Sequence, residues 1–283
     1  MTLATDWIPF GRGVRVVATH ECGLIAVEKP DGVLSHPNPG EVAEKGTILI
    51  AGNYSLDEEA FHVRDGKGGI RRVYLLNRLD SPTSGTLLLS LDEGIADLVR
   101  KMFARSQVSK KYVALIRGRG LRTPRGTWQD QMAKSKGPGG GVRSETGAGA
   151  PAVTVYAWQR SAGGTLPLSL IQLEPRTGRT HQLRVQTAAH GHPILGDRTY
   201  GDFEFNKAVG TARGFKRLFL HAESTQLSFD WQGAKVEFKA SSPMPKEFEE
   251  ALVADDDETP GKAPKSPRRD AGTPISPRLR IRL

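Results

Sequence analysis

Three short stretches of the chain combine residue types that can do chemistry. Asn77-Arg78-Leu79-Asp80-Ser81-Pro82-Thr83-Ser84-Gly85 sets a carboxylate, a guanidinium and a Pro/Gly turn between the apolar residues 73–76 and 86–89. A carboxylate in that place can act as nucleophile or base, but on spacing alone Asp80 is more commonly a turn residue accepting backbone N–H bonds. Residues 174–184 gather Arg176, Arg179, Thr180, His181 and Arg184 where a strand passes through a Gly turn into a helix. N–H groups at a helix start and guanidinium forks both suit phosphate oxygens, so this junction is either an anion site or a cluster of structural ion pairs. Ser109-Lys110-Lys111-Tyr112-Val113-Ala114-Leu115 leads a basic pair into an apolar strand. A Tyr in such a strand is usually packed core, and by itself this stretch carries little.

The elements that must position these residues follow from apolar spacing. Residues 24–27, 86–91, 112–116, 153–158, 168–173 and 218–220 are short apolar or alternating runs bounded by Gly, Pro or charge, as strands are. Ile95, Leu98, Val99, Met102 and Phe103 recur on one face of a helix over 93–105, with Asp92 as its N-cap. A second helix is expected from about Thr180 to Gly191, which can supply a left-handed cap. Strands outnumber helices, giving an α+β domain. Its expected extent is residues 1–252, interrupted by a mobile Gly-rich loop at 134–151, with residues 253–283 as a Pro-rich basic tail without fixed structure.

Composition limits the function. Of the 283 residues 37% are hydrophobic and 25% charged, a globular balance, and no apolar run approaches the roughly 20 residues of a membrane span. The first residues lack the layout of a signal peptide, so the expectation is a soluble, cytoplasmic protein without a membrane partner. The single Cys22 rules out an internal disulfide and a thiolate-rich metal site. A formal charge of +9 favours a polyanionic partner, with nucleic acid the first candidate. Much of it lies in residues 261–283, where seven basic residues face Asp270 alone, so the folded body is only mildly basic.

Taken together and in order, the motifs resemble the RluA-type pseudouridine synthases, which isomerise uridine in ribosomal or transfer RNA. The resemblance runs through Val27-Glu28-Lys29-Pro30-Asp31-Gly32-Val33-Leu34-Ser35-His36-Pro37, Arg78-Leu79-Asp80 with Thr83-Ser84-Gly85, Lys111-Tyr112-Val113-Ala114, Arg176 to Arg184, Gly191-His192-Pro193-Ile194-Leu195-Gly196-Asp197, and Leu220-His221-Ala222. It implies a mixed, largely antiparallel sheet in two halves flanked by helices, with the active site in the cleft between them. It further implies catalytic roles for Asp80 as nucleophile, Tyr112 against the target base and Arg184 as the cation paired with Asp80. Arg78 would enter the space left by a flipped uridine, and Arg176, Arg179, Thr180 and His181 would contact RNA. No cofactor or metal is implied, and a monomer needing no protein partner is expected. Where the family usually has His before Arg-Leu-Asp, this chain has Asn77, which hydrogen-bonds but does not titrate. The family pattern begins near Leu24, so an amino-terminal S4-like RNA-binding module is not expected.

Other chemistries fit less well. His190, His192 and His221 accompany Asp197 and Asp202, but the His-Glu-x-x-His zinc pattern is missing, as are a P-loop and the Gly-x-Ser-x-Gly of serine hydrolases. The stronger alternative is a non-catalytic RNA-binding or assembly factor on the same fold. Against it, binding alone needs no carboxylate placed among RNA phosphates.

Overall fold

The computed structural model describes residues 3–38, 46–50, 53–64, 68–136, 142–162 and 166–253. The expected basic tail lies outside the described residues beyond Val253, the C-cap of the last helix.

Among the described residues thirteen strands form one sheet. The first half holds β1 (Arg15–Thr19), β2 (Leu24–Lys29), β3 (Asn53–Ser55), β4 (Ala60–Arg64), β5 (Ile70–Leu75) and β6 (Ser84–Ser90). The second holds β7 (Ser109–Arg117), β8 (Arg125–Lys136), β9 (Val142–Thr146), β10 (Ala150–Ser161), β11 (Leu168–Pro175), β12 (Leu220–Trp231) and β13 (Ala234–Ser241). The strand order is β3-β4-β5-β6-β12-β7-β11-β10-β8-β9, with β2 also paired to β6 and β1, and β13 to β12. Four helices flank it: α1 (Glu93–Ala104), α2 (Gln182–Ala189), α3 (Phe203–Arg213) and α4 (Lys246–Leu252). The architecture is the expected α+β.

Alternation builds two cores in the first half. Ile25, Val27, Leu87 and Leu89 of β2 and β6 face one cluster, while Leu24, Ala26 and Leu88 face the other, where Ile95, Ala96, Val99 and Met102 of α1 close it. A strand buried on both faces reads as a continuous apolar run, which is why residues 86–91 stood out. Asp92 caps α1 as expected, its Oδ1 accepting the Ile95 N–H at 2.8 Å. The second half has its own core from β7, β10 and β11, closed by Phe248, Ala251 and Leu252 of α4.

The sheet is continuous between the two halves where β6 and β12 run parallel over two residue pairs, His221 with Ser84 and Ala222 with Gly85, a seam also covered by Leu227, Phe238 and Ala240 of β12 and β13 packing on the α1 side of the first half. Gly85 has φ +114, and a Cβ there would lie 2.3 Å from the Ala222 carbonyl oxygen. Only glycine permits so close a backbone approach. Tyr112 packs against the cores of both halves.

Two expectations need correction. Residues 134–151, expected as a mobile loop, are largely ladder: β9 pairs antiparallel with β8 from Met132↔Thr146 to Lys136↔Val142, and β10 starts at Ala150. Polar Val-Arg-Ser-Glu-Thr gives no apolar signal because β9 is an edge strand, fixed by backbone bonds rather than burial. Residues 137–141 lie outside the described residues. Helix α2 starts at Gln182 rather than near Thr180, because His181 adopts a left-handed conformation, φ 55 and ψ 20. Gly191, at φ 82, supplies the left-handed residue expected after the helix.

Candidate active site

Asp80 lies in the connection from β5 to β6, which is fastened almost wholly through its backbone. Leu79 is buried in the first-half core, and the Ser35 hydroxyl donates to its carbonyl at 2.8 Å and accepts its N–H at 3.0 Å. Asn77 accepts the Leu88 N–H at 2.8 Å, so at this position the side chain completes a ladder rather than titrates. The fully buried Lys29 donates to the carbonyls of Pro30, Val33 and Ser81 at 2.8, 2.7 and 2.9 Å. Burial pushes its ammonium down to about 7 against the pull of Asp31 and Asp80, while the three oxygens occupy all three donors. With Leu79 turned inward, Arg78 and Asp80 on either side of it line the cleft. Arg78 is exposed and has no acidic partner among the described residues.

The opposite wall is made by α2 and the loop after it. Arg184, in the first turn of α2, is 6% exposed; its Nη1 donates to Asp80 Oδ2 at 3.0 Å. Its Nε and Nη2 form a fork with Asp197 at 2.8 and 2.9 Å. Burial opposes charge on both partners of that fork. For Arg184 the bonds and charges of Asp197, then Asp80, outweigh burial and raise its pKa. For Asp197, Arg184 and the N–H groups of Tyr200 and Thr199 outweigh it and hold the carboxyl below its ordinary value. The Tyr200 ring lies 5.2 Å from the guanidinium carbon of Arg184. Gln182 fixes the preceding turn, its oxygen accepting from the Thr177 hydroxyl and the Arg179 N–H at 2.8 and 3.0 Å.

Between these walls is a cleft of about 850 Å³. It brings together Arg78, Asp80, Tyr112, Arg179, Thr180, His181 and Arg184. Arg176 stands apart: it is exposed and turned to Glu174, 3.2 Å away, and it does not line the cleft. Tyr112 has its phenol pKa raised, first by burial and then by the Asp80 carboxylate, so it stays protonated. Lys110 and Lys134 add positive charge to the rim. The histidines considered as metal ligands are dispersed: His190 faces Asp130, His192 lies by the Arg117 carbonyl, and His221 sits in the seam between Ser84 and the Ser242 carbonyl.

Two residues of the site were not singled out by sequence: Asp197 as the second partner of Arg184, and Tyr200, whose hydroxyl meets His181 Nδ1 at 2.8 Å. The only available signal was their place in and just after the Gly191–Asp197 motif.

The chain that builds this cleft is similar in sequence and in fold to known proteins. The model of a family described as RNA pseudouridylate synthase matches residues 23–189. A protein named tRNA pseudouridine synthase C from Pasteurella multocida is 36% identical over 210 residues, which cover 71% of this chain and 80% of that one. Its namesake from Yersinia pestis is 34% identical over 215 residues, 72% of this chain and 77% of that one. Among solved structures, human RNA pseudouridylate synthase domain containing 1 superposes with a TM-score of 0.58 at 23% identity, over 89% of this chain and 90% of that chain.

Proposed function

The chain belongs to the RNA pseudouridylate synthase family, which makes it an isomerase acting on RNA, and from that premise we propose that it converts uridine in tRNA to pseudouridine with Asp80 as nucleophile. The observation that carries the reading is the 3.0 Å bond from Arg184 to Asp80, made by a guanidinium whose other edge is already committed to Asp197. The names of the relatives put tRNA ahead of ribosomal RNA as substrate.

Pseudouridine formation breaks the bond between ribose C1′ and uracil N1, turns the base, and re-bonds C1′ to C5, expelling the C5 hydrogen as a proton. Nothing is oxidised and no group is lost, so the reaction calls for no cofactor. Asp80 either attacks C1′ or removes the C2′ proton while supporting positive charge on the sugar, as a carboxylate does in glycoside cleavage. Either role needs an ionised carboxylate in a site that excludes water, and Arg184 supplies the fixed cation. Tyr112, kept as a phenol by burial, packs against the base.

A stacked uridine hides its C1′ and must be flipped out, at a cost of a few kcal/mol. Arg78, with no acidic partner among the described residues, can stack in the gap and hold phosphate. Arg179, Lys110 and Lys134 line the same cleft and favour the RNA backbone. Arg176, paired with Glu174, contributes at most from the rim.

The test is release of tritium from unmodified tRNA labelled at uracil C5, with Asp80→Asn beside the wild type. Wild-type release, lost by about 10³-fold or more in the variant while RNA affinity stays within a few-fold, supports the assignment. Turnover retained by Asp80→Asn would sink it, and release from ribosomal RNA alone would move the substrate class.

A further inference from the structure

His181 is placed unlike an RNA contact. It occupies the N-cap of α2 but makes no capping bond, and its left-handed backbone turns the ring inward. One ring nitrogen, Nε2, lies 3.8 Å from Asp80 Oδ2, and the other, Nδ1, lies 2.8 Å from the Tyr200 hydroxyl. That hydroxyl also accepts the backbone N–H of Ser144, on β9, at 3.0 Å.

An amide N–H only donates, so the Tyr200 oxygen accepts from Ser144. A neutral imidazole carries its proton on one nitrogen, and the Asp80 carboxylate favours an N–H over a lone pair at Nε2, which leaves Nδ1 to accept from the Tyr200 hydroxyl. Burial lowers the His181 pKa and Arg184 adds to this, against the pull of Asp80 and Asp197, so the ring is neutral near pH 7. With Nδ1 accepting, the ring proton sits on Nε2, facing Asp80. The charged groups facing the ring are Asp80, Arg184 and Asp197, which together carry one net negative charge. A protonated His181 would cancel that charge.

We propose that Tyr200 and His181 are positioning residues that couple the docking of the β8–β9 hairpin on α2 to Asp80, holding an uncharged imidazole N–H against the carboxylate. The inference rests on Asp80 being the nucleophile. The path runs Ser144 N–H to Tyr200 Oη, Tyr200 O–H to His181 Nδ1, and His181 Nε2–H toward Asp80. At 3.8 Å the last step is not a hydrogen bond in the free enzyme; such contacts commonly tighten in the substrate complex. The same hairpin carries Lys134 into the cleft, so RNA engaged there is sensed at the nucleophile.

Three variants test this in single-turnover tritium release at saturating tRNA, measured from pH 5 to 8, with RNA affinity measured separately. Tyr200→Phe keeps the ring beside Arg184 and loses only the hydroxyl. Without its donor to Nδ1, His181 protonates more easily, so the acid limb of the rate profile moves to higher pH and the rate falls about tenfold, while RNA affinity stays within about threefold. Ser144→Pro removes the N–H at the hairpin end on an edge strand and should move the acid limb in the same direction. His181→Asn, which tolerates the left-handed backbone, should abolish that limb.

An acid limb unmoved in Tyr200→Phe, or a loss confined to RNA affinity, overturns the proposal. A shift in Tyr200→Phe with none in Ser144→Pro overturns the link to the hairpin. Wild type and Asp80→Asn are run alongside. An inactive wild type or an active Asp80→Asn removes the nucleophile assignment itself, whereas failure of the relay leaves those two controls as expected.

Discussion

The loop that carries Asp80 hangs on backbone carbonyls and amides, gathered by Lys29, Ser35 and Asn77, while the wall facing it is held by side-chain charge in the Arg184–Asp197 fork and the Tyr200–His181 contact. The first wall fixes where the carboxylate stands and brings Arg78 and Asp80 to the cleft. The second sets the electrostatic field the carboxylate feels. A change in the first wall should therefore act on folding, and a change in the second on rate.

The sharpest way to break that contrast is Gly85→Ala at the seam, five residues on from Asp80. A Cβ there meets the Ala222 carbonyl oxygen, carbon and nitrogen at 2.3 to 2.7 Å, all backbone atoms that cannot swing aside. With φ at +114 adding strain, the substitution should cost roughly 3 kcal/mol or more, read as a lower midpoint in urea. A variant as stable as the wild type would mean that the two halves do not depend on this approach.

Asp197→Asn addresses the other wall. The amide keeps the shape and part of the hydrogen bonding, so the expected loss of stability is smaller, about 1–3 kcal/mol. Removing one carboxylate leaves the guanidinium charge to Asp80 alone, which should blunt Asp80 in its proposed role as nucleophile. The rate at saturating RNA should fall roughly 10- to 100-fold with KM little changed. A variant that loses stability without losing rate would erase the distinction between the walls.

The same contrast governs what was legible in the sequence. The strand at 86–91 and the helix at 93–105 announced themselves because burial writes a periodic apolar pattern. Asp80, Arg184 and Tyr112 were legible as motifs, and the structure brings them into one cleft. The Arg184–Asp197 fork was not, because the two residues are thirteen apart in the chain and Asp197 reaches α2 from a loop rather than from a helical repeat. Tyr200 was hidden, and His181 was legible only as an RNA contact, for a related reason: a left-handed His at a helix start follows from the packing around it, with no spacing to announce its contact with Tyr200. Edge strand β9 carries no buried-face pattern, so its glycine-rich flanks dominated the reading.

The smallest expected effect is a pH dependence at the seam itself. His221 is fully buried, with Nδ1 2.9 Å from the Ser84 hydroxyl and Nε2 3.0 Å from the Ser242 carbonyl. Nε2 must donate to the carbonyl, and in the neutral ring Nδ1 accepts from the Ser84 hydroxyl, which itself accepts from Arg217. Burial lowers its pKa, the Ser242 carbonyl pulls the other way, and Arg217 lowers it further. In the unfolded chain the ring takes a proton as pH falls through about 6.5, whereas the folded protein refuses it until the pH is lower. Stability is therefore full above 6.5 and declines as pH drops from there to the folded pKa. Thermal melts at pH 7 and pH 5 should show a decrease of roughly 2–4 °C for each kcal/mol lost. His221→Gln should flatten that decrease even though it lowers stability at pH 7, because the group that couples folding to pH is gone. Equal decreases in both proteins would place the coupling in other groups, with His181 on the charged wall the first to examine.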